Sequence, residues 1–182
     1  MQSREVVTSN SVIAYWLLPA STASAFFQAT IRGLASECEG PLFEPHLTLA
    51  VGPDISEKSE YTRTRIRASK IELAVAGVAY TAKFTQTLFV RFEANPELLR
   101  LQALLGLDTA NQGFDPHLSL LYRNLPEDRQ FQLAQQIRLP FATVTFDAIA
   151  AVRCRIPVES AADVAVWERI GTWPLEAAAS ER

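Results

Sequence analysis

The sequence predicts an α+β fold built on antiparallel sheets, and three observations carry that prediction. Segments that read as strands and helices follow one another as βαβ, strands, αβα and strands again, with connections too short for a doubly wound parallel sheet. No strand runs into a glycine-rich, phosphate-cradling loop of the dinucleotide or P-loop kind. One heptapeptide occurs twice: Phe43-Glu44-Pro45-His46-Leu47-Thr48-Leu49 returns as Phe114-Asp115-Pro116-His117-Leu118-Ser119-Leu120. Two copies at so long a spacing do not make a solenoid, so the repeat points to two similar halves, each supplying one copy.

The elements follow from local chemistry. Val12 to Leu18 is β-branched, aromatic and aliphatic, and reads as a buried strand ending at Pro19. Ser21 is a candidate N-cap for a helix to about Cys38, with Phe27, Ile31, Leu34 and Cys38 as its apolar stripe and Gly40-Pro41 as its stop. Leu42 to Val51 reads as a second strand, closed by Gly52-Pro53-Asp54. Residues 55–69 are polar, helix or loop. Ile71 to Tyr80 and Phe84 to Phe92 read as a strand pair. Asn95-Pro96 opens a helix with Leu98, Leu101 and Leu105 on its buried side and Gly106 as its stop. Asp115 to Tyr122 is the next strand, Pro126 to Arg138 the next helix, and Phe141 to Ile156 and Val164 to Leu175 two closing strands.

Composition bounds the function. The chain has 182 residues, 48% of them hydrophobic, enough for one domain with a genuine core. No Gly-, Ser- or Pro-rich linker divides it, so residues 1–182 are expected to form a single domain, with 176–182 as a mobile tail. Seventeen basic against twenty acidic residues leave a net charge of −3, which argues against extended nucleic-acid binding. Cys38 and Cys154 are too few for a disulfide framework or a cysteine-rich zinc site. The stretch from Val6 to Ile31 carries no charge and contains Ala23-Ser24-Ala25, yet it lacks a positively charged leader and its polar residues suit a membrane span poorly. It reads instead as a strand and a helix. The expected location is the cytoplasm, with no membrane partner and monomer as the default state.

The chemistry lies in the repeat, which uses both histidines of the chain, 71 residues apart. On a strand, residues i and i+2 share a face, about 6.5–7 Å apart. His46 and Thr48 therefore share one face and Leu47 and Leu49 the other, and His117 and Ser119 repeat the arrangement. If the halves pack about a pseudo-twofold axis, two imidazoles and two hydroxyls meet in one cleft. Imidazoles titrating near neutral pH can serve as base and acid on opposite sides of a reacting centre. Hydroxyls can hold the non-bridging oxygens of a phosphate. A lone histidine on a strand is usually structural; two in matching heptapeptides are hard to read that way. Glu44 and Asp115 share strand parity with the histidines, which leaves open a role in orienting the rings, while two histidines alone are a poor metal site. A Ser–His nucleophilic dyad is weaker still, since Ser119 and His117 face a ligand better than each other and no nucleophile elbow is present.

The run Gly40-Pro41-Leu42-Phe43-Glu44-Pro45-His46-Leu47-Thr48, the second motif with Tyr122 three residues after Ser119, and Tyr15-Trp16 on the first strand resemble the 2H phosphoesterase superfamily, in particular its plant and yeast type of cyclic nucleotide phosphodiesterase. The resemblance implies a bilobal, pseudo-twofold fold with two antiparallel sheets around a central cleft and helices outside. It implies no metal and no organic cofactor. The implied activity is hydrolysis of cyclic phosphodiesters on small nucleotides, 2′,3′-cyclic nucleotides or ADP-ribose 1″,2″-cyclic phosphate, to monophosphates. By position, His46 and His117 become the acid–base pair, with His117 as base and His46 as acid. Thr48 and Ser119 become phosphate ligands, and Trp16, Phe84 and Tyr122 line the groove. A non-catalytic module binding nucleotides or RNA ends, and a phosphodiesterase acting on RNA ends or 2′,5′ linkages, are the competing readings. Arg63, Arg65, Arg67 and Lys70 read chiefly as a solvated face, and with Arg91 and Arg123 as candidates for a rim that draws a diphosphate. Trp167 and Trp173 read as packing residues.

Overall fold

A computed structural model of the chain describes residues 11–54, 68–105 and 113–176. The strands are β1 (Ser11–Pro19), β2 (Leu47–Pro53), β3 (Ile71–Ala79), β4 (Leu88–Phe92), β5 (His117–Leu121), β6 (Thr143–Arg155) and β7 (Glu168–Pro174). The helices are α1 (Ser21–Cys38), α2 (Pro96–Leu104), α3 (Glu127–Gln136) and the short α4 (Ala161–Ala165), with a 3-10 turn at Phe84–Gln86.

The strands form one hydrogen-bonded sheet in the order β1-β2-β5-β4-β3-β6-β7, and β1 also pairs with β6. Every pairing between these strands is antiparallel. The two sheets implied by the resemblance are thus two parts of one continuous ring. β6 closes it, pairing with β3 through residues 143–146 and with β1 over most of its length. The two motif strands meet at one cross-strand pair, Leu47 opposite Leu118.

Through that pair runs a row of partners across five strands: Ile149, Leu17, Leu47, Leu118 and Val90. All five are wholly buried. They lie in the main core, where Phe27 and Leu34 of α1, Leu98 and Leu101 of α2 and Leu133 of α3 also pack. Alternation along β1 divides the two faces. Ile13, Tyr15 and Leu17 enter the main core, whereas Ala14, Trp16 and Leu18 join a second cluster with Ala150, Val152 and Cys154. Both faces of β1 are covered, which is why its sequence is an unbroken apolar run. From Ser11 onward the uncharged stretch is the strand and helix expected, and no described helix is long and apolar enough to cross a membrane.

Several boundaries differ from the sequence reading, each for a local reason. Ala20, not Ser21, is the N-cap of α1, because its N–H is taken by the carbonyl of Thr145 at 2.8 Å while its own carbonyl receives Ser24 N–H. The left-handed turn ending α1 falls on Glu39 (φ 54°) rather than Gly40. Gly40 is needed for closeness: a Cβ there would meet Leu121 Cδ1 at 2.9 Å and the Tyr122 carbonyl at 3.3 Å. Residues 41–46 lie outside the ladder, so β2 begins at Leu47. Residues 84–86 form a 3-10 turn instead of opening β4, since the buried Thr87 hydroxyl bonds the Phe84 carbonyl at 2.9 Å and receives Arg123 N–H at 3.0 Å. Val164 belongs to α4, capped by Ser160, before β7 begins. Asn95 caps α2 as expected, accepting from Leu98 N–H at 2.9 Å. Glu176, placed in the tail by the sequence, bridges to Ser69. The Gly106 stop, most of 55–69 and residues 177–182 lie outside the described residues.

Truncating the central pair should cost more than an ordinary core change, because it opens a void where the halves join. Leu118→Ala is expected to lower unfolding free energy by about 2–5 kcal/mol in urea titrations. A loss under about 1 kcal/mol would mean that the junction is not a structural keystone.

Candidate active site

The sequence explains how each histidine is aimed. Proline at position i−1 has no N–H and keeps residue i−2 extended, which turns the carbonyl of that acidic residue back toward the ring. The contact occurs twice: His46 Nδ1 donates to the Glu44 carbonyl at 2.6 Å, and His117 Nδ1 to the Asp115 carbonyl at 2.8 Å. With Nδ1 committed, Nε2 is the free nitrogen of each ring. The carboxylates point elsewhere. Asp115 pairs with Arg91 of β4 at 2.9 Å, and Glu44 pairs with Arg169 of β7. The orientation left open by the sequence is thus supplied by main-chain carbonyls, with the acidic side chains tied to arginines. Among the described residues no three His, Cys, Asp or Glu side chains are grouped so that they could hold a metal ion.

Antiparallel register about Leu47 and Leu118 places His46 across from Ser119 and Thr48 across from His117. All four line one cleft of about 850 Å³, together with Trp16, Phe84 and Tyr122. The seven residues singled out from sequence therefore share one cavity. Trp16 stands opposite Thr48 at a register shift where Leu49 of β2 is the extra residue, and it stacks on the His46 ring, with centroids 3.7 Å apart and planes 12° from parallel. Ser119 donates to the Thr85 carbonyl at 2.7 Å, and the Tyr122 hydroxyl is hydrogen-bonded to Ser119.

The two halves differ in what surrounds their histidines. His46 lies in an aromatic box, stacked on Trp16 and met edge-on by Trp167 (5.9 Å) and Phe43 (6.2 Å), and it is only 5% exposed. Burial, aided by the charge of His117, pushes it down to about 3, so its neutral form dominates near neutral pH. His117 is half-buried, edge-on to Phe89 at 5.3 Å, and its Nε2 receives the Gln86 side-chain amide at 3.1 Å. Burial also raises the Tyr122 phenol well above its ordinary value, partly offset by the bond to Ser119, so it is a neutral donor.

Sequence reasoning missed several lining residues. Trp167, read as packing, closes the box over His46, and its buried indole N–H has no hydrogen-bond partner among the described residues. Gln86, Lys83, Asn124 and Cys154 also line the cleft. No pattern in their own segments marks them, because contacts between segments far apart in the chain bring them there. Cys38 and Cys154 are free thiols. The basic rim is corrected as well. Arg91 is paired with Asp115 and Arg123 with Glu39, neither lining the cleft, and Lys70 is exposed away from it. Arg63, Arg65 and Arg67 lie outside the described residues. Among the described residues Lys83 is the one Lys or Arg in the lining.

The buried neutral imidazole makes stability depend on pH in one direction. Its folded value lies below 6.5, so the unfolded chain binds the extra proton between pH 6.5 and about 3. Stability falls as pH drops through that window, by up to about 1.4 kcal/mol per pH unit. His46→Asn should show a correspondingly shallower decline in urea midpoint from about pH 6.5 to about pH 4. Equal slopes for the two proteins would mean that His46 titrates normally.

No protein-family model matches the chain. It is 30% identical over 133 residues to the cyclic phosphodiesterase of Arabidopsis thaliana, an alignment spanning 65% of this chain and 69% of the plant protein. Among solved structures it resembles TT0787 of Thermus thermophilus (TM-score 0.59, 16% identity, 92% of this chain and all of the other). It also resembles E. coli LigT complexed with 3′-AMP (TM-score 0.55, 16% identity, 92% and 99%). A fold and a sequence match of this extent, on a cleft where two His-x-Thr/Ser motifs face each other, place the chain in the 2H phosphoesterase superfamily, as an enzyme of the phosphodiesterase type.

Proposed function

We propose that the chain hydrolyses cyclic phosphodiesters of small nucleotides, 2′,3′-cyclic nucleotides or ADP-ribose 1″,2″-cyclic phosphate, to monophosphates through His46 and His117. The observation that carries this reading is the Leu47–Leu118 pairing, which sets a histidine opposite a hydroxyl on both sides of one cleft. The plant relative is itself named a cyclic phosphodiesterase, and E. coli LigT has been solved with 3′-AMP and with phosphate. The cleft is within the roughly 300–1,000 Å³ of small-molecule sites.

In the proposed reaction, Thr48 and Ser119 hold the non-bridging oxygens, Ser119 turning its hydrogen from the Thr85 carbonyl to the phosphate. One Nε2 takes a proton from the attacking water; the other gives a proton to the departing ribose oxygen on the far side of phosphorus. Such a pair must hold one proton, not two. Burial and the charge of His117 lower His46, so the doubly protonated state is disfavoured. An arriving phosphate anion stabilises the proton that the pair needs. Trp16, Phe84 and Tyr122 present aromatic surface to the nucleoside. The substrate is a small nucleotide, because the lining holds one cation outside the histidines among the described residues.

Phosphorus NMR with 2′,3′-cyclic AMP and with ADP-ribose 1″,2″-cyclic phosphate, in excess EDTA, should show conversion to a monoester. His46→Ala and His117→Ala should each lower kcat by about 10²–10⁴-fold. Thr48→Val should cost about 10²-fold or more, the scale of removing one oxyanion donor. Activity abolished by EDTA and restored by a divalent cation would overturn the two-histidine mechanism. Tight binding without turnover would instead indicate a nucleotide-binding module.

A further inference from the structure

The pseudo-symmetry of the two motifs fails at one atom. Both Nδ1 atoms are held by carbonyls of their own segments, yet only His117 has a side-chain partner on Nε2 among the described residues: the amide of Gln86, at 3.1 Å. His46 is held by ring stacking instead. We propose that Gln86 is a positioning residue for His117: its amide bonds Nε2, fixes the ring's tautomer and direction, and yields that nitrogen to the substrate. The proposal rests on the reading of His117 as half of the acid–base pair.

The backbone carrying Gln86 is built to hold it there. Its N–H donates to the Lys83 carbonyl at 2.9 Å, and its carbonyl receives both the Thr81 N–H and the Thr81 hydroxyl at 3.0 Å. The next residue, Thr87, is wholly buried and ties the turn to Arg123, and Gln130 of α3 donates to the Thr81 carbonyl at 2.9 Å. The same turn offers the Thr85 carbonyl to Ser119. It thus engages both polar groups of the second motif and neither of the first.

A primary amide suits this place chemically. Its NH₂ donates to the lone pair of a neutral imidazole; turned over, its oxygen accepts from the N–H of an imidazolium. One side chain on a fixed backbone therefore serves both protonation states that a proton-transferring ring visits. The other charged or titratable groups around His117 are His46, Lys83, Glu159, Tyr122 and Cys154 in the cleft lining and the Arg91–Asp115 pair on its sheet, and none of these bonds Nε2.

The chain has two histidines, so ¹⁵N-histidine NMR resolves each ring, assigned with the His46 and His117 variants. In Gln86→Leu the Nε2 resonance of His117 should lose the shift of a hydrogen-bonded acceptor. In Gln86→Glu the titration of His117 should move up by about one pH unit, because a carboxylate favours the imidazolium. On 2′,3′-cyclic AMP, Gln86→Leu should lower kcat about tenfold through misorientation, with KM within about twofold. Gln86→Glu should displace upward the limb of the pH–rate profile that belongs to His117. If the wild type turns over and neither variant alters the His117 resonance, its titration or kcat, the Gln86 proposal fails alone. If the wild type hydrolyses nothing, the proposal falls together with the reading it rests on.

Discussion

The structure depends on the contact between Leu47 and Leu118. Each leucine is the middle residue of a His-x-Thr/Ser triplet, and each is wholly buried in a row that runs through β6, β1, β2, β5 and β4. Strand geometry converts this apolar requirement into a polar result. A strand that commits its middle residue to the core must send both neighbours to the opposite face. Two such strands paired antiparallel through those residues then bring four polar groups together, with each histidine facing the other motif's hydroxyl. A shift of one residue in either strand would bury an imidazole and expose a leucine. The hydrophobic effect holds the site in register, and the cleft chemistry is a consequence of the core beneath it.

The two motifs begin alike and are made different by their surroundings. Proline and an i−2 carbonyl aim both rings in the same way, and an arginine from another strand ties down each acidic side chain. Beyond that, His46 is enclosed by Trp16, Trp167 and Phe43, where desolvation opposes charge. His117 is less buried and meets an amide able to serve either protonation state. A reaction that moves one proton in and one proton out needs such inequality between its two groups. Here a symmetric frame supplies the distance and its unequal linings supply the difference.

The second motif also shows why some of the site was illegible. Phe84 to Thr87 looks like the start of a strand, since Phe84 is aromatic and Thr85 and Thr87 are β-branched. The buried Thr87 hydroxyl instead closes a 3-10 turn by bonding backbone groups on both sides of the chain, and this lifts Gln86 and the Thr85 carbonyl into the cleft. Trp167 was open to a packing reading because a tryptophan beside a short helix normally has that role. It packs, but against Trp16, Tyr122 and His46. In the same way Arg91 and Arg123 carry charge suited to phosphate, while the fold gives both of them carboxylate partners.

What the sequence alone determined is whatever depends on near neighbours. The heptapeptide repeat specified which residues face together, the apolar run of β1 specified a strand covered on both sides, and Asn95-Pro96 specified the start of α2. Alternation, capping and proline geometry act within a few residues, so they can be read along the chain. Tertiary structure alone decided which segments close over the motifs: the turn that brings Gln86 to His117, 31 residues away, and the approach of β7 that brings Trp167 to His46. It also decided that His46 is the buried ring of the pair. Burial and charge coupling depend on distance in space, and no local pattern encodes how much water an imidazole will lose when a distant tryptophan settles against it.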